Sequence, residues 1–172
     1  FTGADPKRRT RHIENDMGSL NETGLQSELP DLKGYFHNKE ALAEKLRTFG
    51  GIFISGGNTF ILRQAMKLSG LDIILQEYHR DNADFVYSGY SAAGCVLSPS
   101  LKGYDIVDDA KDLPYTDQRE VIWDGLNMID FVFLPHFNSN HPESEDIRKE
   151  VRYCVENSVP YKTLRDGEVL II

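Results

Sequence analysis

The sequence predicts an α/β fold of three layers around a central, mostly parallel sheet. Three observations carry that expectation. Residues 52–55, 85–88 and 131–134 are short, continuously apolar runs, as expected of strands covered on both faces rather than half-exposed ones. Segments with helical periodicity separate them. A turn signal closes each run: Gly56-Gly57-Asn58, Gly89-Tyr90-Ser91 and Pro135-His136. In sheets of this kind, sites form beyond the carboxyl ends of the strands.

Taken in order, residues 6–17 read as a charged helix and 25–32 as a loose strand. Asn38 opens a helix whose Leu42 and Leu46 share a face, and Gly50-Gly51 ends it. The strand at 52–55 turns through Gly56-Gly57 into a helix carrying Ile61, Leu62, Ala65 and Leu68, and a second helix at 71–80 follows Gly70. The strand at 85–88 leads into a helix start after Gly94, and 101–124 is irregular and acidic. Beyond 131–134, Pro142 fits the first position of a helix that runs to about Asn157. Strands at 161–164 and 169–172 flank Asp166-Gly167, a tight-hairpin dipeptide. The three apolar strands are expected to be neighbours in one sheet.

At 172 residues the chain reads as a single domain spanning 1–172, trimmed at both ends, since it opens Phe-Thr-Gly and stops on the strand-like Val169-Leu-Ile-Ile172. It is 40% hydrophobic and 27% charged, ordinary for a globular chain. A net charge of −8 argues against nucleic acid or an anionic membrane as partner. The basic cluster Lys7-Arg8-Arg9-Thr10-Arg11 reads as a solvated helix face. Cys95 and Cys154 make no disulfide framework and read as packed, reduced thiols of a cytoplasmic protein. The longest charge-free run, 85–101, holds four serines, two glycines and a proline, which excludes a membrane span there.

Ser91 stands between a strand and a helix among small residues, the context of a nucleophile elbow; the second small position is Ala93 rather than glycine. A helix-capping serine fits the same residues. Gly57 can present its N–H at a helix start as an oxyanion donor, or only make a tight turn. His136 is a candidate base or a packed residue, and His141 reads as structural. His136, His141 and Glu143 have metal-ligand spacing, but no second cluster supports a site, so no metal is expected. Asp108 and Asp109 would give the order Ser-Asp-His, and Asp166 the order Ser-His-Asp.

Together, Gly50-Gly-Ile-Phe-Ile-Ser-Gly-Gly-Asn-Thr-Phe60, Gly89-Tyr-Ser-Ala-Ala-Gly-Cys-Val-Leu-Ser-Pro99, Leu126-Asn-Met-Ile-Asp-Phe-Val-Phe-Leu-Pro-His136 and Leu164-Arg-Asp-Gly-Glu168 resemble peptidase family S51, the dipeptidase E and cyanophycinase group. The resemblance covers about 35–172 and implies a fold like the class I glutamine amidotransferases, flavodoxin-like in its layers. It also implies a serine peptidase of exopeptidase or dipeptidase type acting on short peptides. Carried over, Ser91 is the nucleophile, His136 the base and Asp166 the triad acid, with Asp108 or Asp109 as the alternative acid. Gly57 and Ala92 supply the oxyanion N–H groups. Asn58, Arg63 and Arg148 are the expected substrate contacts, the arginines for an N-terminal aspartate. The chain departs from dipeptidase E in Ser-Ala-Ala-Gly after the elbow aromatic, and again in the segment following His136, where substrate residues do not carry over. A small peptide is the expected partner, without cofactor, and a homodimer is compatible with the sequence. A non-catalytic, ligand-binding relative and an amidase or esterase using the same triad are the alternatives.

Overall fold

The computed structural model describes residues 6–81 and 84–172, with side chains from Thr10 onward; the side chains of Lys7, Arg8 and Arg9 lie outside the described residues. Among the described residues, six α-helices and four strands follow in the order α1 (Pro6–Glu22), α2 (Lys39–Leu46), β1 (Gly51–Ile54), α3 (Thr59–Ser69), α4 (Leu71–Arg80), β2 (Val86–Gly89), α5 (Ala92–Cys95), β3 (Val132–Leu134), α6 (Ser144–Glu156) and β4 (Tyr161–Thr163). Residues 25–32 form no strand; Asp31 instead caps a 3-10 turn at Leu32–Tyr35 by accepting the Lys33 N–H.

Side-chain caps set the helix starts. Asn38 Oδ1 accepts the Ala41 N–H at the head of α2, and Asn58 Oδ1 accepts those of Phe60 and Ile61 at the head of α3. Gly70, at φ 76°, ends α3 in the left-handed region and lets α4 start at once.

The strands are parallel, as expected, but they form two pairs rather than one sheet. β1 pairs with β2 from Gly51↔Val86 to Ile54↔Gly89, and β3 pairs with β4 from Val132↔Tyr161 to Leu134↔Thr163. The expected ladder between β2 and β3 is absent for a local reason. Val132 N–H and Leu134 C=O face β4, bonding to Pro160 O and Leu164 N. That leaves the N–H and C=O of Phe133 pointing the other way. Ser98 Oγ accepts the first at 3.2 Å, and the Tyr104 hydroxyl donates to the second at 2.7 Å. Side chains thus saturate the edge where another strand would have docked.

The expected hairpin around Asp166-Gly167 also does not form. Arg165–Glu168 is a tight turn, closed by Glu168 N–H to Arg165 O, but residues 169–172 carry no strand, and β4 spends its pairing on β3.

Two apolar clusters result. One gathers Leu42, Leu46, Ile54, Leu62, Met66, Leu71 and Ile74 under β1 and β2; the other gathers Phe60, Leu101, Tyr104, Val132, Leu134, Ile147 and Cys154 around β3 and α6. α5 belongs to both, giving Ala92 and Ala93 to the first and Cys95 to the second.

Within the helical layer, Arg63 of α3 pairs with Asp72 of α4 at 2.9 Å, both side chains about nine-tenths buried, and donates from Nε to Asp124 O at 3.0 Å. Removing one member of a buried pair leaves the other's charge uncompensated. Asp72→Asn is expected to cost about 3 kcal/mol, and to lower Tm by roughly 6–12 °C in a chain of this size. Thermal denaturation checks this, and an unchanged Tm would mean the pair is solvated.

Candidate active site

The site begins at the junction of β2 and α5. Ser91 has φ 54° and ψ −119°, a combination closed to most L-residues, and its side chain makes no capping hydrogen bond. That conformation costs of order 1–3 kcal/mol, and a serine serving only as a cap would sit in the extended region with its oxygen on a helix N–H. Sterics hold it there. A Cβ on Gly89 would lie 2.3 Å from Ile54 O and 2.6 Å from the Ala93 Cβ, and one on Gly56 would lie 3.0 Å from the Ser91 Cβ. Alanine at 93 is therefore small enough for the elbow, and the Gly56-Gly57 turn abuts the serine. Neither the Gly57 nor the Ala92 N–H has a hydrogen-bond acceptor among the described residues.

β3 ends at Pro135-His136. His136 also has a positive φ, 60°, and its Nδ1 lies 2.6 Å from Asp166 Oδ1. The turn at 165–168 aims this carboxylate, and the Asp166 N–H donates to Ser139 Oγ at 2.7 Å. The two other acids face elsewhere. Asp108 Oδ2 accepts the Thr59 N–H at 2.8 Å at the head of α3, where burial raises its pKa. Asp109 turns onto its own loop, accepting the Lys111 N–H.

No hydrogen bond joins Ser91 to His136 among the described residues; the imidazole is stacked on His141, centroids 3.8 Å apart and planes within 10°. His141 Nδ1 accepts the Glu143 N–H, a structural role as expected. His136, His141 and Glu143 do converge, with one ligand atom of each within 4.8 Å of the others. Parallel stacked rings, however, direct their in-plane lone pairs side by side rather than at one point, so a shared ion requires a ring to turn.

The three expected substrate contacts have other partners. Arg63 is locked between Asp72 and Asp124 O, away from the serine. Asn58 spends Oδ1 on the α3 cap and Nδ2 on Asp109 O. Arg148 donates to Asn138 Oδ1 on the surface.

Beside Ser91 lies a small cleft, open to solvent, lined by Gly57, Ser91, Tyr104, Asp108, Glu143 and Glu150 among others. Glu150 is 1% exposed, and neither carboxylate oxygen has a hydrogen-bond partner among the described residues. Burial, then Asp108 and Glu143, push its pKa up to about 9. No motif marks this residue, but the helical pattern does: Glu150 falls on the α6 stripe of Ile147, Val151 and Cys154, where an acid is out of place.

A strained serine at a strand-to-helix turn, a histidine–aspartate pair at the end of another parallel strand and free N–H groups beside the serine are the parts of a serine-type hydrolase. The chain belongs to peptidase family S51, whose sequence model matches residues 8–172. It is 33% identical over 154 residues to an uncharacterized peptidase of Listeria monocytogenes, covering 87% of this chain and 69% of the relative. It is 28% identical over 158 residues to a peptidase E of Streptomyces coelicolor, covering 89% of this chain but only 58% of that protein. A crystal structure of a peptidase E-type protein from Listeria monocytogenes superposes with a TM-score of 0.70 at 28% identity, over 92% of this chain and 75% of the other. That fold is the class I glutamine amidotransferase-like one. No described helix is long and apolar enough to cross a membrane.

The buried Glu150 carboxyl has a measurable sign. Its folded pKa is raised to about 9, so it is protonated in the folded protein while the unfolded chain ionises near 4.5. Its contribution to stability is therefore greatest below pH 4.5 and is lost as pH rises toward 9, at up to about 1.4 kcal/mol per pH unit. Glu150→Gln should raise Tm relative to the wild type at pH 8 and much less at pH 5. Thermal melts at the two values test this, and an offset independent of pH would contradict it.

Proposed function

We propose that the chain carries the catalytic centre of a serine exopeptidase acting on short peptides, with Ser91 as nucleophile, His136 as general base and Asp166 as the acid that orients it. The observation that carries the reading is the backbone of Ser91, held in a strained elbow with its hydroxyl not spent on capping the helix. The His136–Asp166 contact at 2.6 Å supports the base and its orienter.

Ser91 Oγ attacks the scissile carbonyl as His136 Nε2 takes its proton. Asp166 holds Nδ1–H, fixes the tautomer and stabilises the imidazolium. The Gly57 and Ala92 N–H groups receive the developing oxyanion, a contribution worth about 3–4 kcal/mol per donor in other serine hydrolases. The imidazolium then protonates the leaving amine, and water repeats the sequence to release the acyl group. Catalytic hydrogen bonds are commonly long in unliganded sites and tighten in the complex, so the Ser91–His136 bond forms as His136 moves off His141.

An N-terminal aspartate finds no support in the residues lining the cleft, since neither Arg63 nor Arg148 lines it. The reading makes Asp166 rather than Asp108 the triad acid. With a dipeptide mixture at saturation, Ser91→Ala should lose at least ~10³ in kcat. Asp166→Asn should lose up to ~10⁴ through the wrong tautomer. Asp108→Asn should leave kcat at saturation near that of the wild type and cost about 1 kcal/mol of stability at the α3 cap. Equal kcat for Asp166→Asn and wild type would remove the assignment.

A further inference from the structure

The cleft beside Ser91 contains three carboxyl groups, Asp108, Glu143 and Glu150, and no lysine or arginine lines it among the described residues. Asp108 is committed to the head of α3 through the Thr59 N–H. Glu150 is buried on the inner stripe of α6, and neither of its oxygens has a hydrogen-bond partner among the described residues. Buried polar groups are nearly always hydrogen-bonded, so an orphan carboxyl in a functional cleft calls for a ligand to complete it.

Resting on the serine-peptidase reading above, we propose that Glu150, with Asp108 and Glu143 beside it, forms an ammonium pocket that receives a positively charged group of the substrate next to the scissile bond. Three features select a cation. An ammonium brings several donors to unpaired acceptor oxygens. Its charge favours the ionised form of the Glu150 carboxyl, which otherwise holds its proton beside Asp108 and Glu143. An acidic first residue would instead add a further negative charge to a cleft with no basic side chain to receive it. The cation can be the free α-ammonium of the peptide or the side chain of a lysine-type first residue, two sources of one chemistry.

The test is a panel of dipeptides beginning with Lys, Ala or Asp, each with a free or acetylated amino terminus, assayed on the wild type and Glu150→Gln. Lys-first or free-amine substrates are expected to exceed Asp-first or acetylated ones by at least 10-fold in kcat/KM. Glu150→Gln should erase most of that preference through KM. Loss of turnover on acetylation of every substrate would identify the α-ammonium, and Lys-first turnover surviving acetylation would identify the side chain; either supports the pocket. Asp-first substrates used as well as Lys-first ones, together with indifference to acetylation, would overturn it. So would a preference that Glu150→Gln leaves intact. Labelling of Ser91 by a fluorophosphonate separates the two levels: without it, the serine-peptidase reading fails. Calorimetric binding of the same panel to Ser91→Ala ranks the ligands without turnover, so the pocket is judged even then. If Glu150→Gln does not fold, the wild-type ranking still decides.

Discussion

The architecture turns on the close approach of β1, β2 and α5 at Ser91. Gly89 has no room for a side chain between Ile54 O and the Ala93 Cβ, and Gly56 has little beside the Ser91 Cβ. Four small residues, Gly56, Gly89, Ala92 and Ala93, let a strand end and a helix begin within two residues. The serine between them is forced to φ 54°. Strain at such a point persists only when the surroundings over-determine it, and here α5 supplies that constraint. It is only four residues long, yet it packs Ala92 and Ala93 into one apolar cluster and Cys95 into the other. The helix that presents the nucleophile thus helps to tie the β1–β2 pair to the β3–β4 pair, as α3 does with Leu62 and Met66 in one cluster and Phe60 in the other. Ser98 and Tyr104 reinforce the tie by satisfying Phe133, which also fixes where β3 ends and where His136 emerges.

Much of this was legible in the residues. Apolar runs bounded by glycine or proline located β1, β2 and β3, and Asn38, Asn58 and Gly70 marked helix ends through ordinary cap chemistry. The elbow was legible because its small residues are contiguous in sequence. What failed was long-range or side-chain-driven. Strand partnership depends on which edge groups side chains consume, and nothing local announces that Ser98 and Tyr104 will take both groups of Phe133. The Asp-Gly pair specified a turn, as found, but a turn does not specify that its flanks pair with each other. Arg63 looked available because its partner, Asp72, sits nine residues away on a different helix.

Electrostatics divide the molecule's acids into separate duties. Asp72 neutralises Arg63 within the helical layer. Asp108 lies at the positive end of α3, where the first-turn N–H groups lack helical partners. Asp166 is the one carboxylate brought to His136 Nδ1 among the acids weighed from the sequence. Glu150 alone among them is buried without a partner. Glu150 is counted in the formal net charge of −8, yet its burial keeps it protonated in the wall of the cleft beside the serine.

The central claim is that Ser91 is a nucleophile activated by His136. Its most direct measurement is reaction of the intact chain with a fluorophosphonate, followed by peptide mass spectrometry. The account predicts one equivalent of adduct, located on Ser91, with labelling suppressed in His136→Ala. A folded protein that takes up no probe, or carries it on another serine, would contradict it.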